Sequence, residues 1–120
     1  MLYKNLVDFI DQNHEKEFVV IQGLGFVGAV MSLVCSNSPK NYAVIGVDTK
    51  SNKNLIDSIN NGIFPIKSTD PKVEDYFKKS IKKRNLYATY DSTAYSLADT
   101  IIVDINLDVI KNSDKRGNLI

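Results

Sequence analysis

The sequence has few of the residue types that build disulfides, metal sites and membrane spans. Its 120 residues include one cysteine, one histidine and no tryptophan. A lone Cys35 excludes an intrachain disulfide and a cysteine-based zinc site. A lone His14, in a polar run, gives no evident histidine-pair metal site and no serine–histidine–aspartate triad. Without a signal peptide we expect a reducing, cytoplasmic compartment, and without an apolar run of spanning length we expect no membrane partner.

The charge balance also lacks a dominant sign. The formal net charge is +1, with 43% hydrophobic and 24% charged residues. These values are ordinary for one globular domain and predict no bulk attraction to nucleic acid. The basic stretch 78–84 is the exception. We interpret it as the solvated face and last turn of a helix, where cations suit the helix dipole, rather than as a nucleic-acid patch.

The strongest positive signal is a glycine pattern. Gly23, Gly25 and Gly28 directly follow the apolar run 18–21, and Asp48 closes a second apolar run about twenty residues later. In this pattern the glycines allow a tight turn, close approach of a pyrophosphate and close helix–strand packing. The phosphates bind at the helix N-terminus, and the acid accepts hydrogen bonds from the adenosine ribose. The pattern therefore predicts a bound dinucleotide.

Simpler interpretations of the same residues remain open. The glycine turn could serve packing alone, and Asp48 could merely cap the next helix. Lys50 and Lys53 could meet a 2′-phosphate, which would mean NADP. Asp48 opposes NADP because two anions would face each other, so NAD is favoured. We predict no catalytic or metal-binding residue, and the predicted cofactor contacts are Gly23, Leu24, Gly25, Phe26, Val27, Gly28, Asp48, Lys53 and Asn106.

Apolar periodicity and turn residues predict alternating strands and helices. The predicted strands are 17–22, 42–48, 86–89 and 101–103. The predicted helices are 2–12, 26–36, one from residue 51 or 52 to the Asn61–Gly62 stop, 71–84, and a short one at 92–98. Val27, Val30, Met31 and Val34 are expected on the packed face of helix 26–36.

This alternation predicts an α/β fold, a Rossmann-type doubly wound parallel sheet with strand order 3-2-1-4 and an extra N-terminal helix. We expect a single incomplete domain: an N-terminal helix at 1–14, a βαβ core at 17–109 and a polar tail at 110–120. A complete dinucleotide-binding sheet has two further strands beside the fourth, so we expect the chain to be a fragment.

Four stretches, taken in order, resemble a known family. They are the glycine segment 20–28, the second strand 44–48, the Asn-Gly and Pro-Ile loop 60–66, and the segments 86–91 and 98–103 around the third and fourth strands. Together they resemble the N-terminal domain of nucleotide-sugar dehydrogenases, the UDP-glucose/GDP-mannose dehydrogenase family. The resemblance implies NAD-dependent oxidation of a sugar 6-hydroxymethyl group to a carboxylate, in polysaccharide biosynthesis, with a UDP- or GDP-sugar as substrate of the intact protein.

The resemblance places the catalytic cysteine and lysine of the family beyond residue 120. We therefore expect this chain to be inactive by itself, with Cys35 a small buried hydrophobe. Two segments depart from the family: residues 67–70 read Lys-Ser-Thr-Asp where a Glu-Pro-Gly-Leu stretch is common, and residues 103–109 replace a Val-Pro-Thr-Pro stretch. Asp104 and Asn106 could substitute for its polar contacts.

Other functions stay open at this stage. The chain could be a stand-alone, non-catalytic nucleotide-binding module, or another Rossmann oxidoreductase. It could also be an interaction element, because the fourth strand is expected to leave an unpaired edge that favours a homo-oligomer.

Overall fold

A computed structural model describes residues 2–104 of the chain. Its centre is a four-stranded sheet in the order β3-β2-β1-β4 in which all three strand pairs are parallel. This confirms the predicted fold class and strand order. The strands are β1 (Phe18–Gln22), β2 (Ala43–Val47), β3 (Leu86–Thr89) and β4 (Thr100–Val103). Asn106, the last residues of the predicted core and the predicted polar tail lie outside the described residues.

The helices lie close to their predicted positions. They are α1 (Leu6–Gln12), α2 (Phe26–Ser36), α3 (Lys53–Asn60) and α4 (Pro71–Lys83), with 3-10 helices at Lys50–Asn52 and Ser92–Leu97. α1 begins later than predicted because the side chain of Asn5 caps it, accepting from the backbone N of Asp8 at 2.9 Å. α4 begins as predicted: the Asp70 side chain accepts from Lys72 N at 2.9 Å, and Pro71 is the first helical residue.

Helical elements cover both faces of the sheet, since alternate residues of β1 enter two different cores. Phe18 and Val20 join the cluster that includes α1, whereas Val19 and Ile21 join the cluster that includes side chains of α2, α3 and α4. The additional helix α1 contributes Phe9, whose ring stacks on Tyr87 of β3 with centroids 5.4 Å apart. α1 therefore stabilises the face that the short 3-10 helix Ser92–Leu97 covers only in part.

The predicted packed face of α2 is wrong. Val27 and Val34 are 57% and 52% exposed, and Met31 is also exposed. The buried residues are mostly small: Gly28, Ala29, Ser32, Leu33 and Ser36. Small side chains let the helix axis approach the sheet, and the buried hydroxyls are paired, as where Ser32 Oγ donates to Ala29 O at 2.6 Å. Close approach of the helix to the sheet, rather than hydrophobicity, therefore selects this face.

Candidate dinucleotide-binding cleft

The glycine turn joins β1 to α2 at the carboxyl edge of the sheet. Gly23 has φ +97°, and its N–H donates to Val47 O at 2.8 Å. A Cβ atom on Gly23 would overlap the backbone oxygen of Asp104, and one on Gly28 would overlap the backbone oxygen of Gly23. A side chain at either position would therefore push α2 or β4 away from the turn. The first and third glycines of the motif are required by close backbone contact.

The first turn of α2 has no side-chain cap among the described residues. Gly25 is its N-cap residue, so within residues 2–104 no side chain caps the helix, and no acidic residue lies in its first turn. The first N–H groups of a helix have no partner inside the helix and carry a partial positive charge. Since Gly23 and Gly25 line a surface cleft, the start of α2 suits a phosphate group.

Asp48 connects the end of β2 to the glycine turn. Its carboxylate accepts hydrogen bonds from Leu24 N at 2.8 Å, Thr49 N at 2.7 Å and Asn52 Nδ2 at 2.8 Å. Partial burial opposes ionisation, but the hydrogen bonds from Asn52, Leu24 and Thr49 outweigh it and hold the pKa of Asp48 below its ordinary value. Asp48 is therefore an anion at neutral pH, positioned beside the turn.

Asn52 lies at the boundary between the 3-10 helix and α3, which begins at Lys53. Asn52 is the N-cap residue of α3, but its side chain makes no capping hydrogen bond, and its Nδ2 donates to Asp48. Asp48 accepts a hydrogen bond from Thr49 N, but Thr49 itself is the N-cap residue of the 3-10 helix Lys50–Asn52, and no side chain caps that helix among the described residues. The Asp48 carboxylate lines the cleft.

The cleft itself has a volume of about 500 Å³, within the range of small-molecule and cofactor sites. It lies at the carboxyl ends of β1, β2 and β4 and extends to the segment that follows β3. Asp48 and the glycine turn line it, together with Tyr90, Tyr95 and Asp104. Ligands of open parallel sheets bind at this edge, where the strand order reverses.

The cleft contains two tyrosines, Tyr90 and Tyr95, that were not among the predicted contact residues. Tyr90 is 46% exposed in the cleft, with Lys50 Nζ 6.0 Å from the centre of its ring. Burial and the charge of Asp48 raise the pKa of Tyr95. One signal was available: Tyr90 directly follows β3, and the carboxyl ends of parallel strands share one edge.

The remaining predicted contact residues differ in exposure and in whether they line the cleft. Leu24 is buried, and its N–H donates to Asp48, whereas Phe26 and Val27 are exposed in the first turn of α2. Lys53 does not line the cleft: it pairs with Asp57 at 2.8 Å and lines a neighbouring groove. Asn106 lies outside the described residues.

Cys35 lacks the features of an activated nucleophile. It is partly buried in α2 against the core, and burial raises the pKa of its thiol. Within residues 2–104, no group of three or more histidine, cysteine or acidic side chains is arranged to hold a metal ion. No helix in the same part of the chain has the length and apolar content needed to cross a membrane.

A parallel sheet of this order, a glycine turn opening a helix and an acid at the end of β2 together define a Rossmann-type dinucleotide-binding domain. Comparison with family models makes this specific. The model of the UDP-glucose/GDP-mannose dehydrogenase family, NAD binding domain, matches residues 17–115. The chain belongs to this family, as its NAD-binding domain, and NAD is its cofactor.

Solved structures show the same relationship. A ternary complex of GDP-mannose dehydrogenase from Pseudomonas aeruginosa is 33% identical over 80% of this chain, with a TM-score of 0.66. An NDP-N-acetyl-D-galactosaminuronic acid dehydrogenase from Methanosarcina mazei is 23% identical over 84%, with a TM-score of 0.69. A UDP-glucose dehydrogenase from Pyrobaculum islandicum is 19% identical over 75%, with a TM-score of 0.63. The latter two show the fold alone.

This chain spans 20–22% of the length of those three proteins. A comparison with curated proteins gives no significant match. The comparisons therefore establish an NAD-binding domain. They do not establish the reaction of a longer protein that contains it.

Proposed function

We propose that the cleft binds NAD with its pyrophosphate against the Gly23–Gly28 turn and its adenosine ribose on Asp48. The observation that carries this proposal is the hydrogen bond from Leu24 N to Asp48 Oδ2 at 2.8 Å. It fixes a ribose-binding carboxylate against the turn that accepts phosphate. Tyr90 and Tyr95, beside Asp48, offer an apolar wall for the adenine.

The same carboxylate sets the choice between cofactors. Asp48 is held ionised by its hydrogen bonds. A 2′-phosphate on the ribose would bring like charges together, so NAD binds more tightly than NADP. Lys53 is paired with Asp57 and does not offset this repulsion without leaving its partner.

For the intact protein we propose oxidation of a UDP- or GDP-sugar to the corresponding uronate, in the cytoplasm, with NAD as hydride acceptor. The support is membership of the family and the 33% identity to a GDP-mannose dehydrogenase. The described residues contribute cofactor binding. They contain no activated cysteine, since burial raises the pKa of the Cys35 thiol.

A stand-alone dinucleotide-binding module is the second candidate. One observation favours it: the cleft within residues 2–104 combines a cofactor site with no evident nucleophile. The two candidates share the cofactor and differ in what lies beyond residue 120. A second α/β domain with a cysteine motif in the downstream gene supports the dehydrogenase, and a stop codon there supports the module.

Both candidate functions require NAD to bind at the glycine turn, and a Gly25→Val substitution tests this. It puts a branched side chain at the N-cap of α2, where the pyrophosphate is proposed to lie. We expect NADH titration by fluorescence to show at least about tenfold weaker binding. The control is Thr69→Val, which introduces the same branched side chain at an exposed loop position outside the cleft. Equal NADH affinity in Gly25→Val and wild type would contradict the site.

A further inference from the structure

Asp104 is held directly beside the glycine turn by its backbone. It follows β4, and its N–H donates to Gln22 O at 2.9 Å. Its carbonyl oxygen lies against Gly23, in the space that a Cβ atom there would need. The backbone of Asp104 is therefore held by the sheet and by the turn, and Asp104 lines the cleft.

The carboxylate of Asp104 lies against the first turn of α2. Its Oδ2 atom is 3.0 Å from the point that a Cβ atom on Gly28 would occupy, and Gly28 is the third residue of the helix. The N–H groups of this turn are those that the pyrophosphate is proposed to use. An anion in this position interacts favourably with the helix dipole, so the carboxylate and a phosphate compete for one electrostatic site.

The two carboxylates of the cleft differ in how their charge is balanced. Asp48 accepts hydrogen bonds from two backbone N–H groups and one amide. The ion pairs found among residues 2–104 lie elsewhere, at His14–Glu15, Lys53–Asp57 and Lys79–Asp75. Among the described residues, none of these three pairs involves Asp104, whose carboxylate lies beside the proposed phosphate position.

We propose that Asp104 is a specificity-determining residue that limits how much negative charge the glycine turn accepts. This inference rests on the proposed placement of the pyrophosphate. The pyrophosphate of NAD is esterified at both ends, whereas ADP ends in a free phosphate with additional negative charge. Repulsion by Asp104 therefore penalises ADP more than NAD and favours a dinucleotide over simple nucleotides that share its adenosine half.

The test is Asp104→Asn, which keeps the size of the side chain and removes its charge. Binding of NADH, ADP and adenosine is measured by titration calorimetry with the whole 120-residue chain. We expect ADP to bind at least about fivefold tighter than to wild type, NADH to gain less, and adenosine to be unchanged. The matched control is Asp75→Asn, which makes the same change of net charge on exposed α4, outside the cleft.

The outcomes separate this inference from the proposed function. If Asp104→Asn binds NADH and ADP with the same affinities as wild type, the proposed role of Asp104 is wrong, while the cofactor site stands. The same conclusion follows if Asp104→Asn binds ADP more weakly than wild type. If neither protein binds NADH or ADP, the proposed cofactor placement fails and the inference fails with it. Asp104→Ser is the second variant should Asp104→Asn fold poorly by circular dichroism, and it carries the same expectation.

Discussion

Asp48 has two functions that a single carboxylate can combine. It holds the glycine turn through Leu24 N and the start of the next helical segment through Thr49 N and Asn52. Each oxygen of a carboxylate has more than one lone pair, so these bonds leave acceptor capacity for ribose hydroxyls. The residue is therefore a structural link whether or not a cofactor is present.

Replacing Asp48 with serine is expected to change the cofactor preference. The substitution removes the charge that opposes a 2′-phosphate, so the ratio of NADP to NAD affinity should move toward NADP by roughly tenfold, about 1.4 kcal/mol. Fluorescence titration with NADH and NADPH measures the ratio. A second variant, Asp48→Ser with Lys53→Ala, tests Lys53: a smaller gain for NADPH shows that this lysine leaves Asp57 to contact the phosphate.

Asp75→Ser, on exposed α4, is the control for the loss of one negative charge. A ratio that stays constant in Asp48→Ser would mean that Asp48 does not face the ribose. A ratio that moves equally in Asp75→Ser would mean that the effect is not local to the cleft.

The functional residues were predictable to different degrees for physical reasons. Gly23, Gly28 and Asp48 were identified because their spacing follows from the geometry of a strand–turn–helix unit. Tyr90 was not, because an aromatic residue beside a strand is usual in any sheet, and only the parallel strand order places it at the cleft. Lys53 was chosen for its charge, but its sequence distance of four residues from Asp57 also permits the helical ion pair that the structure shows.

Among the secondary-structure elements, α3 protects the outer edge of β3. The buried side chain of Asn60 makes two hydrogen bonds with Ala88 in the middle of that strand: Nδ2 donates to Ala88 O at 2.7 Å, and Oδ1 accepts from Ala88 N at 2.9 Å. One amide thus satisfies the outward donor and acceptor that a further strand would otherwise pair with.

Asn60→Ala is expected to lower the free energy of unfolding by about 2–3 kcal/mol, because it leaves both backbone groups of Ala88 buried without a partner. Urea denaturation measures the change. Asn54→Ala on the exposed side of the same helix is the control and should stay within about 0.5 kcal/mol of wild type. Equal midpoints for the two variants would contradict the bridging role of Asn60.

The sequence predicted the positions of the helices and strands more accurately than it predicted which of their faces are buried. Strand order and most helix ends were predicted, since apolar runs, Asp70–Pro71 and Asn61–Gly62 are local signals. The buried face of α2 was not, because hydrophobicity favours Val27 and Val34. The actual face is selected by the small residues that allow the helix to approach Gly23, a tertiary constraint.

For the molecule as a whole, we expect no sugar oxidation by this 120-residue chain. The reaction needs a nucleophile and a sugar site close to the nicotinamide. The described residues supply a cofactor cleft and a cysteine whose pKa is raised by burial. NADH production with a panel of UDP- and GDP-sugars is the measurement. Turnover that persists in Cys35→Ser and disappears in Gly25→Val would overturn this expectation.

The same chain is expected to self-associate through β4. In the described residues β4 pairs on one side only, with β1, and Ile101 and Val103 are 49% and 57% exposed. Apolar edge strands promote pairing with another chain. Light scattering should show a mass that rises with concentration, and Ile101→Lys should lower it. Ile63→Lys, at an exposed loop position, is the control, and a wild-type monomer at every concentration would refute the expectation.

The amide of Asn60 has a consequence for the symmetry of such an assembly. A sheet with two open edges adds copies head to tail and grows into a fibre, because each new copy presents the edge that the next one needs. Here the outward groups of Ala88 on β3 are already paired with Asn60, whereas among residues 2–104 no strand lies on the outer side of β4. Two identical edges meet about a two-fold axis, and that contact consumes both of them. We therefore expect association through β4 to close at two copies, with the buried amide of Asn60 hindering growth from the far side of the sheet.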